Sequence, residues 1–271
     1  MLIVVLGATG NVGAEVVAAA TASGHTVRAV SRSGGPSRAG VEHVVGDLGD
    51  ATSYAAALDG ADALFTLAGY GGLAGPLDAL APSGAAVALL SSSAAPSGDR
   101  DNAVARYHLE SEDLVAASGL PATVVRPNAF ASNALRWRTQ LAAGDVVREP
   151  FGDVPLSVIH PADIAAVVLH GLEGSPGTYR VTGPESLTAA QRLAVLGDVL
   201  GRELREEPMT DAEIRAEYEA SMPQPYVEAF FQFYRGGLID ETSVTPDVER
   251  ALGRPPRTFR EWAEANRGAF G

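Results

Sequence analysis

Residues 2–13 constrain this chain more than any other stretch. The apolar run Leu2-Ile3-Val4-Val5-Leu6 leads into Gly7-Ala8-Thr9-Gly10-Asn11-Val12-Gly13, after which Val16, Ala19 and Ala20 continue from Val12 at helical spacing. A buried-type strand, a glycine turn and a helix in direct succession make a βα unit whose turn can hold a dinucleotide. Gly7 permits the tight turn, Gly10 lets the backbone approach a pyrophosphate, and Gly13 lets helix and strand pack closely. The helix N-terminus adds free N–H groups and a partial positive charge for the phosphates. Gly7, Thr9, Gly10, Asn11, Val12 and Gly13 are therefore the expected cofactor contacts. Glycine is common in the chain (30 of 271 residues), so a plain strand–helix turn is the competing reading. The position directly behind a buried-type strand favours the dinucleotide.

Ser23-Gly24 closes that helix, and His25 to Val30 reads as a second strand. A cofactor with a free ribose 2′-hydroxyl usually meets an Asp or Glu at the end of this strand. Ser31 and Arg32 stand there instead, with Arg38 further on. An Arg fork suits a 2′-phosphate. NADP(H) is thus expected in preference to NAD(H), which stays possible, with Ser31 and Arg32 as contacts. The plain alternative makes Arg32 a solvated loop cation.

Val41 to Val45 reads as a third strand that leaves through Gly46-Asp47-Leu48, with Asp50 capping a helix from Ala51 to Leu58. Asp47 is placed to accept from an adenine amino group, with Leu48 beside it. Asp62 to Leu67 is a fourth strand opening into Ala68-Gly69-Tyr70, and Ala85 to Leu90 a fifth ending in Ser91-Ser92-Ser93. Helices are expected over Leu73–Ala81 and Asn102–Ser118, and a sixth strand over Ala122–Val125 is stopped by Arg126-Pro127. Beyond Pro127 the rhythm changes. Short strands are expected near 146–147, 156–159 and 179–181, and helices from Pro161 to about Leu172, from Thr188 to about Leu200, and over 211–222, 225–234 and 258–266. The alternation predicts an α/β fold, a Rossmann-type doubly wound parallel sheet with a smaller C-terminal substrate lobe. Residues 1–127 form the dinucleotide-binding core, and 128–271 mostly the lobe, with segments around 155–182 returning to the core.

Several function classes drop out on composition. A net charge of −13 disfavours nucleic acid and anionic membrane surfaces. With no Cys, disulfides and thiolate chemistry are excluded, and all 20 basic residues are Arg, so Schiff-base chemistry is excluded too. No apolar run reaches the roughly 18 residues of a membrane span. Met1 runs straight into the first strand, which leaves no room for a signal peptide, so a cytoplasmic protein is expected. No His, Asp and Glu spacing suggests a metal site. Gly-x-Ser-x-Gly is missing as well.

Taken together, Gly7 to Gly13, Gly46-Asp47-Leu48, Leu90-Ser91-Ser92-Ser93, Ala117-Ser118-Gly119-Leu120 and Thr123-Val124-Val125-Arg126-Pro127-Asn128-Ala129-Phe130 resemble the atypical short-chain dehydrogenase/reductases of the NmrA-like branch. Ile159-His160-Pro161-Ala162-Asp163-Ile164-Ala165, Tyr179-Arg180-Val181-Thr182-Gly183-Pro184-Glu185 and Arg254-Pro255-Pro256-Arg257-Thr258-Phe259 extend the likeness across nearly the whole chain. The branch holds enzymes similar to triphenylmethane reductase and quinone oxidoreductase, and also regulators that bind dinucleotide without turnover. The resemblance implies a Rossmann fold and NAD(P) binding. It leaves the substrate open.

In the wider superfamily a Tyr-x-x-x-Lys pair protonates a substrate carbonyl. Tyr107 stands in a plausible place, but Ser111 follows four residues on and the chain has no Lys. An unassisted Tyr titrates near pH 10 and is poorly tuned for proton transfer at neutral pH. That favours an acceptor needing little acid help, a quinone-like or polycyclic aromatic compound. Tyr107 and His108 are the catalytic candidates. His108 lies four residues from Glu112 on one helix face, where pairing would raise its pKa; a surface ion pair is the plain alternative. Ser91 could meet the nicotinamide, and Ala68 and Gly69 line its approach. Tyr70, Ser92, Asn128, Phe130, Asn133 and Trp137 are the candidate substrate contacts, although Phe130 and Trp137 equally suit lobe packing. The reading is an NADPH-dependent oxidoreductase handing hydride to an aromatic small molecule, conceivably in bacterial natural-product biosynthesis with quinol-assisted oxygenation. The alternative is a non-catalytic NADP(H)-sensing regulator.

Overall fold

Strands and helices alternate along the chain in the computed structural model, which describes residues 1–35 and 39–271. Arg38 falls outside the described residues. The order is β1 (Leu2–Leu6), α1 (Gly13–Ala22), β2 (Thr26–Ser31), β3 (Val41–Val45), β4 (Ala63–Leu67), α2 (Ala74–Leu80), β5 (Ala86–Leu90), α3 (Ala103–Ala117) and β6 (Ala122–Pro127). There follow α4 (Arg138–Ala143), β7 (Val146–Val147), α5 (Pro161–Leu172), β8 (Gly177–Val181), α6 (Ala189–Leu200), β9 (Arg205–Glu206), α7 (Asp211–Ser221), α8 (Gln224–Tyr234), α9 (Asp247–Leu252) and α10 (Phe259–Ala265). Seven strands form one parallel sheet in the order β3-β2-β1-β4-β5-β6-β8. The order reverses between β1 and β4, and in such sheets ligands bind in the crevice outside the carboxyl ends of the strands at this switch point.

Both faces of the sheet are covered, which is why its strands read as continuous apolar runs rather than alternating ones. On one face Val16, Val17 and Ala20 of α1 meet Ile164, Val167 and Val168 of α5, with Val248 of α9 in the same cluster. On the other, Tyr54, Leu77, Leu80 and Val115 pack over Val4, Leu64 and Leu89. Each fully buried aliphatic side chain contributes on the order of 1.5–3 kcal/mol. A third cluster joins Trp137, Leu193, Leu196, Phe259 and Trp262 beyond the sheet. A fourth seats Ala229 and Phe233 of α8 on Ala103 and Val104 of α3. That contact holds α8 over the carboxyl ends of the central strands.

Several segments depart from the sequence reading. Ala51–Leu58 is a 3-10 helix, although Asp50 caps it as expected by accepting from Thr52 N at 3.1 Å. The expected strand near 156–159 forms no ladder. Leu156 bridges Leu187, Ser157 N donates to Glu241 O at 2.8 Å, and Ile159 bridges Phe130. Successive residues thus bond to three different segments. Helix α9 was not expected. His160 serves as the N-cap of α5, its Nδ1 accepting from Ala162 N at 3.0 Å with Pro161 behind it. Asp163 within α5 is fully buried and accepts from Arg254 Nη2 at 2.6 Å, from Arg257 N at 2.6 Å and from the Arg257 guanidinium. This clamp ties the 254–258 segment to the back of the sheet.

Candidate functional site

The glycine loop closes as its spacing requires. Gly10 N donates to Gly7 O at 2.9 Å, and Gly7 has φ +68°, a left-handed conformation open to glycine. A Cβ on Gly13 would lie 2.2 Å from Gly7 O, so only glycine lets α1 start this close to β1. Helix α1 has no side-chain cap, and although Ala14 N is already bonded to Gly10 O at 2.9 Å, the partial positive charge of the helix start is available to an incoming anion. Thr9, Gly10 and Asn11 are exposed on this turn while Val12 and Gly13 are buried beneath it. These features fit a dinucleotide pyrophosphate. Ser31 is buried at the end of β2 with its hydroxyl donating to Gly34 O at 3.0 Å, while Arg32 is exposed beside it. Asp47 spends one carboxylate oxygen on Gly49 N at 2.9 Å.

Leu67 at the end of β4 links this loop to a cleft. Its Cδ1 lies 2.8 Å from where a Cβ on Gly7 would sit, and Leu67 also lines a cavity of about 410 Å³ outside β4, β5 and β6. Into that cavity the fold brings Ala68, Tyr70, Ser91, Ser92, Tyr107, His108, Asn128, Phe130 and Asn133 from the sequence-based set. Gly69 lies under the ring of Tyr107, whose Cδ2 is 2.9 Å from the Cβ a side chain there would add. Leu48 packs near Gly7, beneath the loop rather than in the cleft.

Trp137 is not brought to the cleft. It is fully buried in the third cluster and donates from Nε1 to Glu149 at 2.8 Å, because the 3-10 helix Ala131–Trp137 turns its last side chain inward.

His108 differs from the expectation in its chemistry. Burial pushes its pKa down to about 4, overriding the upward pull of Glu112. The Glu112 carboxylate is engaged elsewhere: Arg126 Nη2 donates at 2.5 Å and Nε at 2.9 Å, and Ser91 Oγ at 2.5 Å. His108 is therefore a neutral imidazole at ordinary pH, its ring tilted 37° against that of Tyr107 at 4.3 Å between centroids. Tyr107 has its pKa raised by burial and stays a phenol. Ser111, four residues on, accepts from Gly69 N at 3.0 Å and donates to Tyr107 O at 2.7 Å, which fixes the helix against the β4 exit. His108 Nδ1 and Asn128 Oδ1 are buried without a hydrogen-bond partner among the described residues. Unpaired buried polar atoms cost about 1–3 kcal/mol and are commonly kept where a ligand completes them.

The sequence reading missed the other wall of the cleft. Phe230, Phe233 and Tyr234 of α8, with Ile239, Glu241, Ser93 and Val104, complete the lining. The density of aromatics in Phe230-Phe231-Gln232-Phe233-Tyr234 was a usable signal for an aromatic wall. Nothing local singles out Glu241.

Residues 1–263 match the NmrA-like family. The chain belongs to that family. Its NmrA-like relatives include a (4-alkanoyl-5-oxo-2,5-dihydrofuran-3-yl)methyl phosphate reductase of Streptomyces griseus, 37% identical with 99% of each chain covered. They also include an NAD(P)H azoreductase of Xenophilus azovorans, 30% identical with 100% of this chain and 99% of that one covered. Among solved structures, an NADPH-dependent quinone oxidoreductase of Escherichia coli complexed with NADPH superposes with a TM-score of 0.75, at 20% identity over 98% of this chain and 99% of that one. The NmrA-like assignment agrees with the α/β Rossmann architecture seen here. No described helix is long and apolar enough to cross a membrane, and no group of three or more described His, Asp or Glu residues could hold a metal ion.

Proposed function

We propose that this NmrA-like protein is an NADP(H)-dependent reductase that delivers hydride to a flat, conjugated, electron-poor acceptor. The observation that carries the reading is the continuity of the uncapped glycine loop with the aromatic-walled cleft through Leu67. When bound, the dinucleotide supplies the hydride. Gly7 to Gly13 hold its pyrophosphate, and the exposed Arg32 stands where a 2′-phosphate is recognised. Phe130, Phe230 and Phe233 sandwich a planar acceptor and exclude water. Tyr107, a phenol throughout the working range, donates a hydrogen bond to an acceptor oxygen. The Arg126–Glu112–Ser91 network holds the ends of β5 and β6 and the face of α3 rigid.

The relatives' named substrates support this acceptor class. An oxo-dihydrofuran and an azo compound are, like quinones, conjugated systems that spread the incoming charge. Residues 1–127 act as the cofactor core and most of 128–271 as the substrate lobe. The Ala- and Gly-rich composition, with every basic residue Arg, suits a GC-rich bacterial gene, and it is by association with such genes that we propose a place in natural-product biosynthesis.

The test mixes the protein with NADPH or NADH and a panel of quinones, unsaturated lactones and azo dyes, followed at the reduced-nicotinamide absorbance band. Turnover with at least one acceptor is expected, together with a preference for NADPH that Arg32→Ala removes. Tight NADPH binding with no turnover on any acceptor would replace this reading with that of a dinucleotide-sensing regulator.

A further inference from the structure

Among the described residues Glu241 is the one acidic side chain in the lining of the cleft, and neither Tyr107 nor His108 is tuned to give up a proton there. It comes from the segment after α8 and is only 5% exposed. Its two oxygens have different partners. Oε1 is hydrogen-bonded to Ser93 Oγ, and Oε2 accepts from Ala129 N at 2.7 Å. Its backbone is clamped as well: Glu241 O accepts from Ser157 N at 2.8 Å and from Ser157 Oγ at 3.1 Å. Ser93 lines the same cavity.

Burial raises the Glu241 pKa, while the bonds to Ser93 and Ala129 pull it down. The charged and titratable groups around it are few. Arg180 on β8 lowers the pKa and Asp240 raises it, and those two pair with each other at 3.4 Å. Tyr234 on α8 is a buried phenol whose own pKa Glu241 pushes up. Arg180, the cation that favours a Glu241 carboxylate, is thus shared with Asp240, so burial outweighs it. In the structure Ser93 Oγ donates to Glu241 Oε1; when Glu241 is protonated it keeps Oε2 as the acceptor for Ala129 N and turns Oε1–H toward Ser93 Oγ. The Ser93 hydroxyl proton is then free to point into the cleft.

Resting on the reductase reading above, we infer that Glu241 and Ser93 form the proton-delivery pair for the reduced acceptor, Ser93 Oγ passing its proton to the substrate and recovering one from Glu241. In the balanced step the acceptor gains two electrons and one hydrogen as hydride from the reduced nicotinamide. It gains its second hydrogen as a proton from Ser93. Ser93 takes the proton of Glu241, and solvent reprotonates Glu241 after product leaves.

Two readouts test this. In the dinucleotide-free protein, infrared difference spectroscopy near neutral pH should show a protonated-carboxyl band that Glu241→Gln removes. With NADPH and a naphthoquinone or an unsaturated lactone, Glu241→Gln should lower kcat by about a hundredfold. KM and the NADPH dissociation constant should hold, and the alkaline limb of the kcat–pH profile should disappear. Ser93→Ala, which leaves the Ala129 anchor in place, should lower kcat in the same way and decides the matter if Glu241→Gln fails to fold. A Glu241→Gln enzyme with wild-type kcat and an intact alkaline limb would overturn the pair while leaving the reductase reading standing. So would a carboxyl band unchanged by the substitution. Wild-type protein that fails to oxidise NADPH in the presence of any of the acceptors would overturn both.

Discussion

Acid should destabilise this fold through His108, by an amount that can be worked out. The imidazole is buried against Tyr107, and its pKa is lowered from 6.5 to about 4. The folded state therefore binds fewer protons than the unfolded chain throughout that interval. Stability is fully present above the unfolded value and is lost as pH falls toward the folded one. At 1.36 kcal/mol per pH unit, the interval from 6.5 to about 4 is worth about 3 kcal/mol, of which about 2 kcal/mol is already gone near pH 5. The assay is urea unfolding of the wild type and of His108→Gln at about pH 7.5 and about pH 5. His160 is lowered in the same direction, and protonating it removes the cap of α5, but it contributes equally to both proteins. The wild type should lose about 2 kcal/mol more than the variant between the two conditions. Parallel losses would refute the neutral, buried His108 and restore the acid that its i, i+4 spacing to Glu112 first suggested.

Three further outcomes follow from the geometry. Gly13→Ala places a Cβ 2.2 Å from Gly7 O and should cost about 1–3 kcal/mol by overpacking; it should also weaken NADPH binding in a fluorescence titration, and unchanged affinity would refute the close-approach argument. Asp163→Ala leaves Arg257 N and the two half-exposed guanidinium groups without their acceptor and should cost about 1–3 kcal/mol in urea unfolding; no measurable loss would show the clamp to be weak. Tyr107→Phe should raise KM for an oxygen-bearing acceptor several-fold and leave the pH profile of kcat in place, since burial keeps the phenol protonated; a shifted profile would make Tyr107 the proton source instead.

The parts readable from the residues alone share one physical property, that their determinants lie close together in the chain. The strand, turn and helix of residues 2–22 follow from apolar periodicity and from glycines whose backbone demands are local. The cap at Asp50 and the helix start at Thr188 were legible for the same reason, since each side chain accepts from an N–H two or three residues on. The serines closing β5 and Phe130 beyond β6 were placed at the cleft because parallel strands deliver their carboxyl ends to one edge.

What only the tertiary structure decided concerns partners and burial. Glu112 had His108 within reach on its own helix, yet Arg126 from the next strand offers two donors to its carboxylate, and burial strips His108 of its charge. Trp137 sits within a few residues of true cleft residues but turns into a core built from α6 and α10. Glu241 reaches Ser93 across 148 positions of sequence. Short-range pattern sets backbone conformation, but a side chain's protonation and hydrogen bonds depend on which remote segment excludes its water. The glycine loop thus determined the cofactor class from sequence, and the packing of α8 and the 239–241 segment over the sheet decided which groups line the cleft.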